Sequence, residues 1–180
     1  MRDAAPVTQT GTRSGRGRSR SYPSSVRELE IHAVRFDSPV AQGLIAAALA
    51  DLGARYGGNG DETPVHAAEF APPSGAFLVA RLDGEPVGCG GWRSHGDAGD
   101  TAELKRMYTA PQARGRGVAR AILAAVERSA WEQGRKRIIL ECGDRQPEAI
   151  AMYTAAGYER IPNFGFYRDE PGCLSFGRTL

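Results

Sequence analysis

Gln112-Ala-Arg-Gly-Arg-Gly117-Val-Ala119 decides how this chain is read. The stretch follows an apolar run, Leu104 to Tyr108, and opens a strongly periodic segment. A strand, a glycine-rich turn and a helix start together make a place to hold phosphate. The first N–H groups of a helix have no partner inside it, and the helix dipole adds positive potential there. Gly115 and Gly117 remove side chains that would block the approach of an anion. Arg114, Arg116 and Arg120 put charge around the rim.

Two common phosphate motifs can be compared with this turn. A P-loop needs Gly-Lys-Ser or Gly-Lys-Thr, and the chain has neither. A dinucleotide site needs G-x-G-x-x-G directly after a strand, with a small sixth residue that lets helix pack on strand. Here the sixth position is Arg120, and Thr109 to Arg114 intervenes. Glu141 ends the next apolar run, near where a ribose-binding acid would fall. A dinucleotide-binding oxidoreductase therefore stays as an alternative.

The surrounding sequence favours another ligand. Gln112, Gly115 and Gly117 form Q-x-x-G-x-G, with Glu103-Leu-Lys-Arg-Met-Tyr108 before it. Glu148-Ala-Ile-Ala-Met-Tyr-Thr-Ala-Ala-Gly-Tyr158 comes after it. This ordered set resembles the GNAT family of acyl-CoA-dependent N-acetyltransferases, over about Glu28 to Leu180. The resemblance implies an α/β fold: a mixed, mostly antiparallel central sheet, splayed between two strands and flanked by helices. It implies acetyl-CoA as acetyl donor, no metal, and direct attack on the thioester by a primary amine of a small molecule or peptide. A non-catalytic acyl-CoA-binding module of the same fold is the other reading. Dimers are common in this fold, so a homodimer is one option.

Site roles follow from the same resemblance. The strand Glu103 to Thr109 would splay from Arg137 to Cys142 and admit the pantetheine arm. The backbone along Met107, Tyr108 and Thr109 would pair with the arm. Gln112 and the N–H groups of Arg114, Gly115, Arg116, Gly117, Val118, Ala119 and Arg120 would hold the pyrophosphate. Tyr153 is the candidate general acid beside the thioester sulfur, where a phenol within hydrogen-bond reach can serve. Family members often carry Asn seven positions before this Tyr; here Gln146 keeps the amide on a longer arm. Glu103, at the strand start, is the candidate general base, with His66 and His95 as alternatives. Its competing role is a strand-edge charge beside Lys105 and Arg106. Tyr56, Phe70, Arg93, Phe164 and Tyr167 are candidates for the acceptor pocket.

Composition bounds the rest. At 180 residues the chain suits one domain with a sizeable core. It shows no apolar run long enough to span a membrane and no signal-peptide pattern, so a cytoplasmic enzyme is expected. Cys89, Cys142 and Cys173 are widely spaced without C-x-x-C, and read as reduced, buried thiols. The first 25 residues hold five arginines against Asp3, so the net +2 divides into +4 there and −2 elsewhere. Residues 1–26 read as a disordered basic tail, and 27–180 as the domain. The tail also reads as an over-long start, with Val26 close to the natural one. Arg13 to Arg20 lacks an aromatic platform or recognition helix, so nucleic-acid binding is not the expected role.

Along the domain, Leu29 to Phe36 alternates as a strand. Ser38 and Pro39 signal a helix start, and Val40 to Leu52 carries helical spacing, ended at Gly53 or Gly57-Gly58. Tyr56 to Pro73 reads as a long loop with one short helix near Val65 to Phe70. Gly75 to Leu82 and Glu85 to Arg93 form a hairpin about Asp83-Gly84. After the strand Thr101 to Thr109, a helix runs from Gly115 to Gln133. Its apolar stripe is Val118, Ile122, Ala125, Val126, Ala130 and Trp131. Arg137 to Cys142 is a strand and Gln146 to Ala156 a helix. Tyr158 to Ile161, Gly165 to Arg168 and Cys173 to Arg178 are expected strands.

Overall fold

Among the described residues seven strands form one sheet, in the order β1-β2-β3-β4-β5-β7-β6. The computed structural model describes residues 28–180, so the expected basic tail lies outside the described residues. The strands are β1 (Leu29–Val34), β2 (Gly75–Leu82), β3 (Glu85–His95), β4 (Thr101–Thr109), β5 (Arg137–Gly143), β6 (Glu159–Arg160) and β7 (Cys173–Thr179). The helices are α1 (Pro39–Tyr56), α2 (Val118–Glu132) and α3 (Pro147–Ala155). Every strand pair is antiparallel except β4 with β5, which α2 connects as a parallel crossover. The expected mixed, mostly antiparallel sheet flanked by helices is the fold observed. Among the described residues no helix is long and apolar enough to cross a membrane.

Local sequence explains most element ends. Ser38 Oγ accepts from the Ala41 N–H at 3.4 Å, and Pro39 takes the first turn, where its missing N–H costs nothing. The helix then runs through Gly53 and stops at Gly57, whose φ is 83°. Asp83 and Gly84 both have positive φ, 53° and 84°, which gives the primed turn that matches strand twist in a two-residue hairpin.

Each face of the sheet carries its own apolar layer. On one face α2 and α3 bury Ile122, Val126, Ala130 and Tyr153 against Leu78, Trp92, Leu104, Ile138 and Leu140. On the other, α1 and Phe70 cover Phe77, Val79 and Cys89. Full burial of a side chain such as Ile122 contributes about 1.5–3 kcal/mol.

Two expectations are corrected. Trp131 does not join the α2 stripe; it is 63% exposed, because one residue beyond the fully buried Ala130 turns about 100° away from the sheet. Leu123 is buried instead. Gly165 to Arg168 is a turn rather than a strand. Gly165 has φ 76°, and Asn163 ties the loop back by donating to the Cys173 carbonyl at 3.0 Å and accepting from the Ser175 N–H at 3.2 Å.

Candidate active site

The parallel pairing of β4 with β5 is short. Thr101, Ala102 and Glu103 pair with Arg137, Ile138 and Ile139, and beyond that the strands part. Side chains alternate along a strand. Ala102, Leu104, Ile138 and Leu140 pack toward α2, so Glu103, Lys105, Ile139 and Glu141 face α1. Then β4 bulges. Gly91 pairs with Lys105 and Cys89 with Tyr108, so β4 spends three residues where β3 spends two. Arg106 is the extra residue, at φ 58°. A bulge re-aims side chains, and Arg106 reaches the α1 side, where it pairs with Asp61 and donates to the Thr63 carbonyl at 3.2 Å.

The parting strands open a cavity of roughly 390 Å³, within the usual span of ligand sites. Leu104 to Met107 and Leu140 to Gly143 form its walls, with Tyr56 from α1, Gln146 just before α3 and Tyr153 from α3. Asp61, Thr63, Tyr167 and Glu170 line its far side. Tyr56 holds one edge: its hydroxyl accepts from the Arg145 N–H at 2.9 Å, so α1 is tied to the β5–α3 connection. The Tyr167 hydroxyl fixes the opposite loop by accepting from the Glu62 N–H at 2.6 Å.

Tyr153 is 5% exposed, within the α2-face core. Its ring lies 5.6 Å from that of Tyr158. Burial, then the neighbouring Cys142, push its phenol well above the ordinary value, so the proton stays on at neutral pH. Cys142 is itself pushed up to about 12 by burial, so it is a thiol and not a thiolate. The cysteines are free, as expected, but only Cys89 is buried; Cys142 and Cys173 are partly exposed.

A line of ion pairs crosses the floor on the α1 side. Glu69 meets Arg93 at 2.9 Å, and Arg93 Nε meets Glu103 Oε2 at 2.7 Å. Glu103 Oε1 lies 2.8 Å from Lys105 Nζ, which lies 3.1 Å from Glu141 Oε2. His95 Nδ1 stands 3.7 Å from Glu103. Burial pushes the Glu103 carboxyl up, but Lys105 and Arg93 outweigh it and hold it below its ordinary value. It is a stable anion, not a group poised near neutrality.

The turn after β4 leads into α2, which begins at Val118 rather than Gly115. Pro111–Ala113 makes one 3-10 turn. Gly115 and Gly117 then take φ 73° and 79°, in the left-handed region. A Cβ at either would meet nothing within 4 Å, so no packing inside the protein requires glycine there. Gly117 precedes α2, and no side chain caps the helix. The N–H groups of Val118, Ala119 and Arg120 lack helical partners. Gln112, Arg114, Arg116 and Arg120 are exposed around them. Arg114 is tied down, donating to the Thr109 carbonyl at 3.0 Å and pairing with Asp51 at 3.1 Å.

The other sequence candidates divide. Tyr56 and Tyr167 border the cavity. Arg93 belongs to the ion-pair line. Phe164 lies edge-on to His95 at 5.2 Å. Phe70 is placed elsewhere: it is 3% exposed and stacks on Phe36 at 4.5 Å, a core residue rather than a pocket wall. His66 is exposed at the start of the 3-10 turn Ala67–Phe70, where its N–H donates to Glu69 at 2.6 Å. In the sequence Glu141 stands out only as a candidate ribose-binding acid, and Asp61, Thr63 and Arg106 carry no signal as site residues. Nothing in a linear pattern announces the bulge that turns Arg106 to this side.

The sequence model of the acetyltransferase (GNAT) family matches residues 45–158. The chain is 38% identical over 111 residues to an IAA acetyltransferase of Azospirillum brasilense, covering 62% of this chain and 72% of that one. It is 38% identical over 93 residues to an uncharacterized N-acetyltransferase of Escherichia coli K12, covering 51% of this chain and 56% of that one. It therefore spans little more than half the length of that second relative. Among solved structures it resembles one from Klebsiella pneumoniae, provisionally described as an acyl-CoA N-acyltransferase. That match has a TM-score of 0.69 at 28% identity and covers 84% and 97% of the two chains. A GNAT-family acetyltransferase of Elizabethkingia anophelis, solved with acetyl-CoA bound, shares the fold with a TM-score of 0.61 at 17% identity, covering 84% and 98%.

Proposed function

The chain belongs to the GNAT acetyltransferase family and is an N-acetyltransferase, and we propose that it moves the acetyl group of acetyl-CoA to a primary amine of a small molecule or peptide by direct attack. The observation that carries this reading is the opening between β4 and β5, which joins the two faces of the sheet at one cavity. Tyr153 approaches that cavity from the α2 side and the ion-pair line from the α1 side.

The donor fits the rest of the site. Past Glu103, β4 has no partner on its β5 side among the described residues, so the backbone of Met107, Tyr108 and Thr109 can take up an amide-bearing arm as a strand would. The Thr109 carbonyl already accepts from Arg114, which leaves Met107 the freer partner. Gln112 and the N–H groups from Arg114 to Arg120 hold the pyrophosphate, where fixed dipoles and four exposed polar side chains meet. Gln146, on the cavity wall, reaches the pantetheine.

The chemistry then divides across the sheet. An amine enters from the Tyr56 and Tyr167 side and its lone pair attacks the acetyl carbonyl carbon. The carbon–sulfur bond breaks and its electron pair goes to sulfur. Tyr153, still protonated, donates its hydroxyl proton to the thiolate, the acylated nitrogen gives up its extra proton to water in the cavity, and water restores the proton on Tyr153. Glu103 contributes through Lys105 and Arg93, which it holds in place. A thiol-release screen with acetyl-CoA and a broad panel of primary amines tests the reading. Amine-dependent CoA release with the matching N-acetyl product supports it. Binding of acetyl-CoA with no product from any amine would leave a non-catalytic acyl-CoA-binding module.

A further inference from the structure

Successive turns of α1 show the cavity one apolar stripe. Ala48, Leu49, Leu52 and Tyr56 line it, whereas Ala50, Asp51, Gly53, Ala54 and Arg55 between them do not. At about 100° per residue, the four lining positions fall within one side of the helix. A helix wraps its backbone in its own side chains, so residues that line a cavity at this spacing turn their side chains to it. Ala48 is 5% exposed, and Leu49 and Leu52 are partly buried. Leu49 rests against the α1-face core, but among the described residues Leu52 packs on neither apolar layer. A lone exposed leucine means little; apolar side chains grouped along a cavity mark a surface that a ligand covers.

The stripe is held in place from its flank. Asp51 pairs with Arg114 at 3.1 Å, and Arg55 pairs with Glu148. Arg55 donates to the Arg145 carbonyl at 3.2 Å, and Arg145 donates to the Arg55 carbonyl at 3.1 Å. Tyr56 lies directly on Gly143, where a Cβ would collide with its ring. The end of α1 is thus pinned both to the turn after β4 and to the β5–α3 connection, and the stripe is kept from closing onto the parted strands. It also lies on one definite side of the opening. Tyr153 belongs to the α2-face core, and α1 covers the other face.

We propose that this stripe selects the acceptor, and that the acceptor is a small amine with an apolar chain or ring next to its amino group, not a sugar amine or a polar peptide. This rests on the acetyl-transfer reading above. Leu49 and Leu52 take the body of the amine out of water, and the Tyr56 ring bounds it. The nitrogen is left at the opening between β4 and β5, on the side away from Tyr153. A polar body of the same length would give up its water against leucine side chains that offer no hydrogen bond in return. The preference turns on Leu52, whose apolar surface has no core contact to serve and is free for the ligand.

The test compares n-hexylamine with 2-(2-aminoethoxy)ethanol, a primary amine of matching length and polar body. Acetyl transfer is measured for wild type, Leu52→Asn and Leu52→Met. Wild type should favour n-hexylamine in kcat/KM by about 10-fold or more. In Leu52→Asn the ratio should fall toward one, through KM more than kcat, and Leu52→Met should keep most of it. Equal use of the two amines by wild type, a preference for the ether, or an undiminished preference in Leu52→Asn overturns the proposal. Loss of the acetyl-CoA thermal shift in Leu52→Asn would put the stripe on the donor's path and likewise overturn it. Titration of each amine into protein saturated with CoA reads selection without turnover. Wild type should bind n-hexylamine the more tightly; equal binding, or none, overturns the proposal. Preferential binding of n-hexylamine with neither amine acetylated would leave the stripe standing and reject the acetyl-transfer reading. Should Leu52→Asn fail to fold, the wild-type comparison of the two amines decides in both measurements.

Discussion

Arg93 and Glu103 are register partners across β3 and β4, and Arg93 Nε donates to Glu103 Oε2 at 2.7 Å. Both sit in a line of charges that is largely out of water. Such lines stand because each ion has a partner, and they fail when one is removed.

Glu103→Gln should therefore destabilise the fold by about 3–5 kcal/mol at neutral pH, because Arg93 and Lys105 lose their shared anion. The folded carboxyl lies below its ordinary value of 4.5, so its contribution is present above that pH and is lost as pH falls through the folded value. Denaturant melts of wild type and Glu103→Gln should converge on acidification below about pH 4. A constant difference down to pH 2 would remove the ion-pair explanation. Activity lost by the variant should be spread evenly over pH, since Glu103 holds Lys105 and does not meet the amine.

Tyr153→Phe keeps the ring against Tyr158 and Phe176 and deletes only the hydroxyl. Single-turnover acetyl transfer should fall on the order of 10²- to 10⁴-fold. Acetyl-CoA binding should change little. Wild-type rates would take the acid role away from Tyr153.

Acetyl-CoA at a hundredfold excess over its dissociation constant should stabilise the protein by about 2.7 kcal/mol. In Gly117→Asp the new side chain enters open space in the free protein, at a left-handed position that costs roughly 1–2 kcal/mol. That carboxylate would face the pyrophosphate. Thermal melts should show a modest loss without ligand and no shift with acetyl-CoA; an undiminished shift would move the pyrophosphate elsewhere.

Gly91→Ala probes the packing beneath the bulge. A Cβ at Gly91 would lie 2.6 Å from the Phe77 ring, 2.8 Å from the Ala76 carbonyl oxygen and 2.9 Å from the Phe70 ring. Overpacking of this kind costs about 1–3 kcal/mol, and backbone on one side leaves little room to yield. A drop in the denaturant midpoint should appear, and an unchanged midpoint would mean that β3 can move away from β2.

Much of this protein is local in origin and was legible along the chain. Ser38 and Pro39 start α1 because a hydroxyl and a fixed φ act within one turn. Asp83-Gly84 makes its hairpin because only positive φ matches the strand twist. Gln112 to Ala119 gives an uncapped, glycine-bordered helix start from neighbouring residues alone. What the tertiary structure decided are relationships between distant segments. Trp131 faces solvent because the sheet buries the side of α2 that carries Ala130, and Phe70 joins the core because Phe36 and Phe77 meet it there. Arg106 faces the cavity because β3 and β4 fall out of step by one residue, which depends on pairing and on no residue's own preference. Glu141 meets Lys105 from 36 positions away only because β4 and β5 run parallel and then part. Charge, capping and backbone preference act over one or two turns of chain. The direction a side chain faces across a sheet, and the partner it finds there, depend on register, and register is set by the whole sheet at once.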